Sequence, residues 1–151
     1  MSIKKGIYAA SMTILNKDLS VDYDSTISHS EKLIYDSCQG CVLLGSTGQA
    51  QLISSNEKKK LIEKLNRSKF KDHFILGTGT NSLNENAELL KFSINNGINR
   101  FLLGVPAYYK FGDEGAYSFY ANLIQKAPEV QIILYNFEKL FGYKFSIQII
   151  E

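Results

Sequence analysis

Four continuous apolar runs of strand length punctuate the chain: GCVLLGS (40–46), HFILGTGT (73–80), NRFLLGVP (99–106) and VQIILYN (130–136). Half-solvated strands alternate apolar and polar residues, whereas strands covered on both faces read as unbroken apolar runs. These four therefore predict the buried strands of a parallel sheet. Between them, apolar residues recur at helical spacing. SNEKKKLIEKLNRS predicts a helix capped at Ser55 or Asn56 that buries Leu61, Ile62 and Leu65. SLNENAELLKFSINNG predicts another, with Ser82 as cap, Ala87, Leu90 and Ile94 on one face, and Gly97 as the stop. GDEGAYSFYANLIQKAP predicts a third, ended by Pro128. An earlier unit, KKGIYAASMTIL followed by DYDSTISHSEKLIYDSC, completes the series, with Met12 to Asp18 less regular. The last residues, up to Glu151, read as the opening of a fifth helix.

Strand and helix thus alternate every thirty residues or so, the signature of successive right-handed βαβ units. An open doubly wound sheet and a barrel both have that spacing, and the polar residues separate them. Thr13, Gly45-Ser46-Thr47-Gly48, Gly79-Thr80-Asn81, Pro106-Ala107-Tyr108-Tyr109 and Tyr135-Asn136 each follow a strand. An open sheet gathers its ligand at one switch point, whereas in a barrel every βα loop converges on one site. The distribution predicts an α/β fold of the TIM (β/α)8 barrel class. A full barrel has eight units and usually ~250 residues. Residues 1–151 therefore read as a single domain, an incomplete barrel of about the first five βα units.

With 44% hydrophobic and 12% aromatic residues, the chain can build one ordinary core. Its formal charge of +2 gives no field for nucleic acid or an anionic membrane surface, so a small molecule is the expected partner. The N-terminus lacks the apolar core of a signal peptide. Nothing approaches the ~20 apolar residues of a membrane span, and the expected location is the cytoplasm. Cys38-Gln39-Gly40-Cys41 is nominally a C-x-x-C motif, but a redox pair needs its first cysteine at a helix N-terminus. Here SEKLIYDSC precedes it, with Gly40 placed like the residue just after a helix and Cys41 opening the next strand, so two structural thiols are expected. The basic run EKKKLIEKLNRSKFK reads as the solvated face of an outer helix. His29 and His73 have no metal partner at useful spacing, and neither a metal nor a cofactor is implied.

GSTGQA follows a strand and precedes a helical segment, so its amides and hydroxyls can converge on a carboxylate or phosphate. It is not a P-loop, since no Gly-Lys-Ser/Thr follows, and neither it nor GTGTNS has the glycine spacing of a dinucleotide fingerprint. Taken singly, a Gly-x-x-Gly turn is usually only a turn, and a rim tyrosine is usually packing. Taken together, Ser46 after strand two, Tyr109 after strand four and Tyr135 after strand five could form a proton relay, with Tyr135 exchanging the proton with substrate.

The ordered set GSTGQAQLISSNEK, GTGTNSLNENAELLKFSINNGINRFLLGVPAYYK and ILYNFEKLFG resembles the N-acetylneuraminate lyase and dihydrodipicolinate synthase family of pyruvate-dependent class I aldolases. The resemblance implies that Ser46 and Thr47 hold the carboxylate of pyruvate or another 2-keto acid. It implies that Tyr135 shuttles the proton and that Tyr109 reaches into a neighbouring subunit of a homo-oligomer. It also implies an aldehyde as second substrate and a Schiff-base lysine on a sixth strand. Lys110 and Lys139 do not match that lysine's position and read as solvated loop residues. Ile14, where the family often has proline, and Glu138, where proline is usual, depart from its pattern. Leu140 stands where the dihydrodipicolinate synthases carry an arginine for the second substrate's carboxylate, and leucine cannot pair with one. With GSTG in place of GTTG, this tilts the expectation toward the sialate lyase or 2-keto-3-deoxy sugar acid aldolase branches. The alternatives are 4-hydroxy-tetrahydrodipicolinate synthase, a truncated non-catalytic remnant or interaction module with open sheet edges, and a phosphate-binding module.

Overall fold

The structure is a computed structural model and describes residues 3–150. Five short strands, β1 (Tyr8–Ala10), β2 (Gly40–Leu43), β3 (Phe74–Leu76), β4 (Arg100–Leu103) and β5 (Gln131–Leu134), form one sheet in the order β1-β2-β3-β4-β5. Every pairing is parallel. Four helices, α1 (Tyr23–Tyr35), α2 (Ser55–Leu65), α3 (Leu83–Asn95) and α4 (Asp113–Lys126), make the crossovers. A doubly wound sheet reverses its strand order at a switch point. This order never reverses, so the sheet is an arc of a barrel. Two short helices, α5 (Glu138–Phe141) and α6 (Ile147–Ile150), follow β5 where the opening of one fifth helix is expected; Glu151, the last residue of that expected segment, lies outside the described residues.

The register explains the core. Cys41 pairs with Phe74, Leu43 with Leu76, Leu76 with Phe101 and Phe101 with Ile132, placing this row on one face. The row packs with Leu61, Ile62 and Leu65 of α2, Leu90 of α3 and Leu123 of α4. Each such side chain, fully buried, stabilises by about 1.5–3 kcal/mol. The opposite, concave face is not sealed among the described residues: Ile75 is buried, but Val42, Leu102 and Ile133 are only half-buried. Cover on both faces, expected from the unbroken runs, is therefore complete only on the helical side of β2, β3 and β4; on β5, Ile132 is half-buried and Leu134 exposed.

The helix termini follow local chemistry. Asp22 caps α1, its Oδ1 accepting the Ser25 N–H at 3.0 Å. α2 starts one residue earlier than the pattern predicts: Ser54 is extended and accepts the Glu57 N–H, while the Glu57 carboxylate accepts the Ser54 N–H at 3.2 Å. This reciprocal box satisfies two otherwise unpaired helix donors. Ser82 caps α3 as expected, and α4 stops at Lys126, two residues before Pro128.

Two expectations need correction. Gly40 does not end α1, whose last turn closes at Asp36 with Ser37 in left-handed backbone (φ +87°). Gly40 instead opens β2, where a Cβ would stand 2.2 Å from the His73 carbonyl oxygen and 2.7 Å from the Tyr8 ring. The demand is for close approach between strands. The basic run is also not wholly solvated, since Lys58 is only 3% exposed and its burial holds the ammonium below its usual pKa. Both cysteines are free; Cys41 is fully buried with its thiol donating to the Ser30 carbonyl at 3.3 Å, and burial pushes its pKa up to about 11. No described helix is long and apolar enough to cross a membrane.

Candidate active site

The loops after β2, β3, β4 and β5 meet at the C-terminal rim of the sheet. Beyond β2, buried Leu44 adopts left-handed backbone at φ +55° and ends the extended run. The Gly45–Gly48 turn that follows is closed by the Gln49 N–H donating to the Ser46 carbonyl (3.1 Å) and the Ala50 N–H to that of Gly45 (3.3 Å). Thr13 Oγ1 donates to the Gly48 carbonyl at 2.7 Å and ties the turn to the segment after β1. Among the described residues, the amides of Ser46 and Thr47 have no hydrogen-bond partner. Two adjacent amides left open in this way suit an oxyanion.

The loop after β3 is held from within. Thr78 Oγ1 donates to Asn86 Oδ1 at 2.5 Å, and Asn86 Nδ2 donates to the carbonyls of Thr80 and Ser82, both at 2.9 Å. Asn81 Oδ1 accepts the Ala107 N–H at 2.9 Å and joins this loop to the one after β4.

Between these loops lies a cleft of about 360 Å³, floored by Gly77, Leu102 and Gly104 and rimmed by Ser46, Thr80, Asn81, Tyr135, Leu140 and Phe141. Ser46 Oγ and Tyr135 Oη are 3.4 Å apart across it, although 89 residues separate them. None of the described side chains lining it is charged. Its polarity comes from hydroxyls, carboxamides and backbone, which can orient a ligand and pass a proton. They cannot neutralise a ligand's full charge.

The structure thus brings together Ser46 and Tyr135. Thr47 is exposed on the same turn and does not line the cleft. Tyr109 is 77% exposed, outside this chain's own cleft, with its ring edge-on to that of Tyr108 at 4.9 Å. Lys110 and Lys139 are exposed and line no part of it. Sequence reasoning missed Phe141 and Gly104. A Cβ on Gly104 would lie 2.1 Å from the Phe141 ring, and that ring stands edge-on to Tyr135 at 5.4 Å. The available signal was the aromatic in LFGY, six residues after Tyr135; nothing in its spacing points at Gly104. Among the described residues no three His, Cys, Asp or Glu side chains gather as a metal site.

Comparison with known proteins agrees with this geometry. A family model described as the dihydrodipicolinate synthetase family matches residues 4–151. A 4-hydroxy-tetrahydrodipicolinate synthase of Bartonella bacilliformis is 32% identical over 133 residues, covering 87% of this chain and 45% of that protein. Among solved structures, the chloride-inhibited dihydrodipicolinate synthase of Acinetobacter baumannii, complexed with pyruvate, superposes with a TM-score of 0.87 at 33% identity, over 98% of this chain and 50% of that one. CdNal of Clostridium difficile, in complex with mannosamine, superposes with a TM-score of 0.85 at 27% identity, over 99% and 52%. The chain spans about half the length of the relatives it matches. An arc of five parallel strands with its βα loops gathered on one uncharged cleft, matched over nearly its whole length, makes this chain a member of the dihydrodipicolinate synthetase family, covering the N-terminal half of the family's barrel.

Proposed function

We propose that this chain carries the keto-acid half of a Schiff-base aldolase site, in which pyruvate is joined to, or released with, an aldehyde. The observation that carries the reading is the Ser46–Tyr135 pair, 3.4 Å apart in one cleft and next to two unpartnered amides. In this reading the Ser46–Thr47 turn takes the carboxylate, with its amides as donors, and the Tyr135 hydroxyl moves the proton on the forming or breaking carbon–carbon bond. The amine that makes the electron sink is a lysine outside residues 3–150, contributed by the remainder of the barrel. Tyr109, exposed and turned from its own cleft, serves a neighbouring subunit of a homo-oligomer as relay.

The sequence relatives weigh toward the 4-hydroxy-tetrahydrodipicolinate synthase reaction, against the order expected from Leu140 and GSTG together. One observation still favours a neutral aldehyde, as in the N-acetylneuraminate lyase branch: Leu140 lines a cleft in which none of the described residues offers a cation for a second carboxylate. The test is to incubate one sample of the whole protein with pyruvate and borohydride, and to supply a second, borohydride-free sample with pyruvate and either aspartate semialdehyde or N-acetylmannosamine. Covalent trapping of pyruvate with turnover of the semialdehyde supports the synthase, and turnover of the amino sugar supports the lyase. Absence of trapping, with the protein folded, overturns the aldolase reading.

A further inference from the structure

Asp113, the first residue of α4, lies outside the cleft, yet its carboxylate accepts hydrogen bonds from two residues of the segment beyond β5. The Tyr143 hydroxyl donates to Oδ1 at 2.7 Å, and Ser146 Oγ donates to Oδ2. Both oxygens are thereby engaged, and the Ser146 and Tyr143 hydrogen bonds hold the carboxyl below its usual pKa. Tyr143 is 8% exposed and stacks on Phe111 at 5.2 Å; its neighbour Phe145 packs on Tyr120 at 5.9 Å. The Phe145 N–H also returns to Asn136 Oδ1 at 3.3 Å, which closes residues 136–145 into a loop. Gly142, in left-handed backbone at φ +65°, lets the chain reverse between α5 and this anchor.

The loop so fastened carries Phe141. Its ring lies over Gly104 on one side and edge-on to Tyr135, 5.4 Å away, on the other. Tyr135 is half-buried, and the described contacts that orient its ring are Phe141, Phe137 and the Ser46 hydroxyl. Two of those three belong to the fastened loop.

We propose that Asp113 is a positioning residue: by clasping Tyr143 and Ser146 it holds the loop after β5 so that Phe141 sets the Tyr135 ring, and with it the hydroxyl facing Ser46. The clasp and its effect on Tyr135 are structural statements; that Tyr135 then moves a proton rests on the aldolase reading above. Because the Ser46–Thr47 turn hangs from β2 and is tied to Thr13, carboxylate binding does not depend on the clasp.

The experiment replaces the tyrosines of the whole protein by 3-fluorotyrosine, assigns the residue-135 resonance with Tyr135→Phe, and compares Asp113→Ala, Asp113→Asn and Tyr143→Phe. Asp113→Ala is expected to move and broaden the Tyr135 fluorine resonance, because the Phe141 ring current is lost. Asp113→Asn, whose amide oxygen still accepts from Tyr143, restores it, and Tyr143→Phe gives a smaller shift in the same direction. In turnover, Asp113→Ala should lower kcat on the order of tenfold to a hundredfold, as misplaced groups do, with KM for pyruvate unchanged. An unmoved Tyr135 resonance in a folded Asp113→Ala protein overturns the proposal, as does an equal loss in the Asn variant. If the Ala variant does not fold, Tyr143→Phe decides in its place: a shift supports the clasp, and none overturns it. If the parent neither traps nor turns over pyruvate, the aldolase reading fails while the fluorine shift still decides the clasp.

Discussion

Placing a methyl group at Gly104 gives the sharpest test of how the cleft is built. In Gly104→Ala the new Cβ would stand 2.1, 2.4 and 2.6 Å from three carbons of the Phe141 ring. Carbon atoms pack at about 3.5–4.0 Å, so the ring must retreat by roughly 1.5 Å or swing away. The obstacle is the end of a side chain on a four-residue helix, so the sheet can stay intact and the cost falls in the overpacking range of about 1–3 kcal/mol. Phe141→Ala alone removes a half-buried ring and costs part of the 3–5 kcal/mol typical of full burial, about 1–2 kcal/mol. In the double variant the methyl group enters the space that the ring has left, and the clash term disappears. The two changes should therefore be non-additive, with the double variant more stable than the sum of the singles by about 1 kcal/mol or more. Urea denaturation of the four proteins, followed by far-UV circular dichroism, measures the cycle. Additivity within about 0.5 kcal/mol would refute the contact, since that is the behaviour of sites that do not touch.

Two further outcomes follow from burial and charge. Cys38 is half-buried while Cys41 is fully buried with its pKa pushed up to about 11, so iodoacetamide near neutral pH should label Cys38 alone until the chain unfolds; peptide mapping that finds both labelled in the folded protein contradicts the buried thiol. Asp22, Glu57 and Asp113 are held below their usual pKa by hydrogen bonds to their ionised forms, chiefly from Ser25, Ser54 and Ser146. Their stabilisation is present above the ordinary carboxyl values of about 4 and is lost as pH falls through the lower folded values. Tyr143 has the opposite sense: burial and Asp113 raise it to about 12, so its share is present below about pH 10 and disappears as pH climbs to about 12. Melting temperatures across pH should decline on both flanks, and Asp113→Asn should flatten part of each; an unchanged profile in that variant removes the Asp113–Tyr143 bond from the account.

The local architecture was legible because its causes are local. Ser82 caps α3, Pro128 lies just past α4, and Leu61, Ile62 and Leu65 face the core, each set by hydrogen bonds or periodicity within a turn or two of chain. Apart from the start of α2, which the Ser54–Glu57 box moves by one residue, a contact distant in sequence was responsible where the local reading slipped. Gly40 resembles a helix stop until the His73 carbonyl, which leaves no room for a side chain, comes into view. Lys58 belongs to a basic run, yet it is buried on the face of α2 that packs inward, beside the start of α3 and its Glu85. The candidate site divides the same way. Ser46 and Tyr135 stood out as hydroxyls at strand ends, since a parallel sheet with sequential strands must carry those ends to one rim.

By itself, then, the amino-acid sequence determined the alternation of strand and helix, the cap of α3, the parallel sheet and the residue types offered at its rim. Those follow from apolar period and from side-chain hydrogen bonds that close over a few residues. Only the tertiary structure decided that Ser46 and Tyr135 meet at 3.4 Å while Thr47 and Tyr109 stand outside the cleft. It alone placed Phe141 over Gly104 and fastened its loop to Asp113. The reason is physical: sheet register and close packing fix distances between residues that no local pattern relates, and a shift of one residue in either would turn each of these side chains elsewhere.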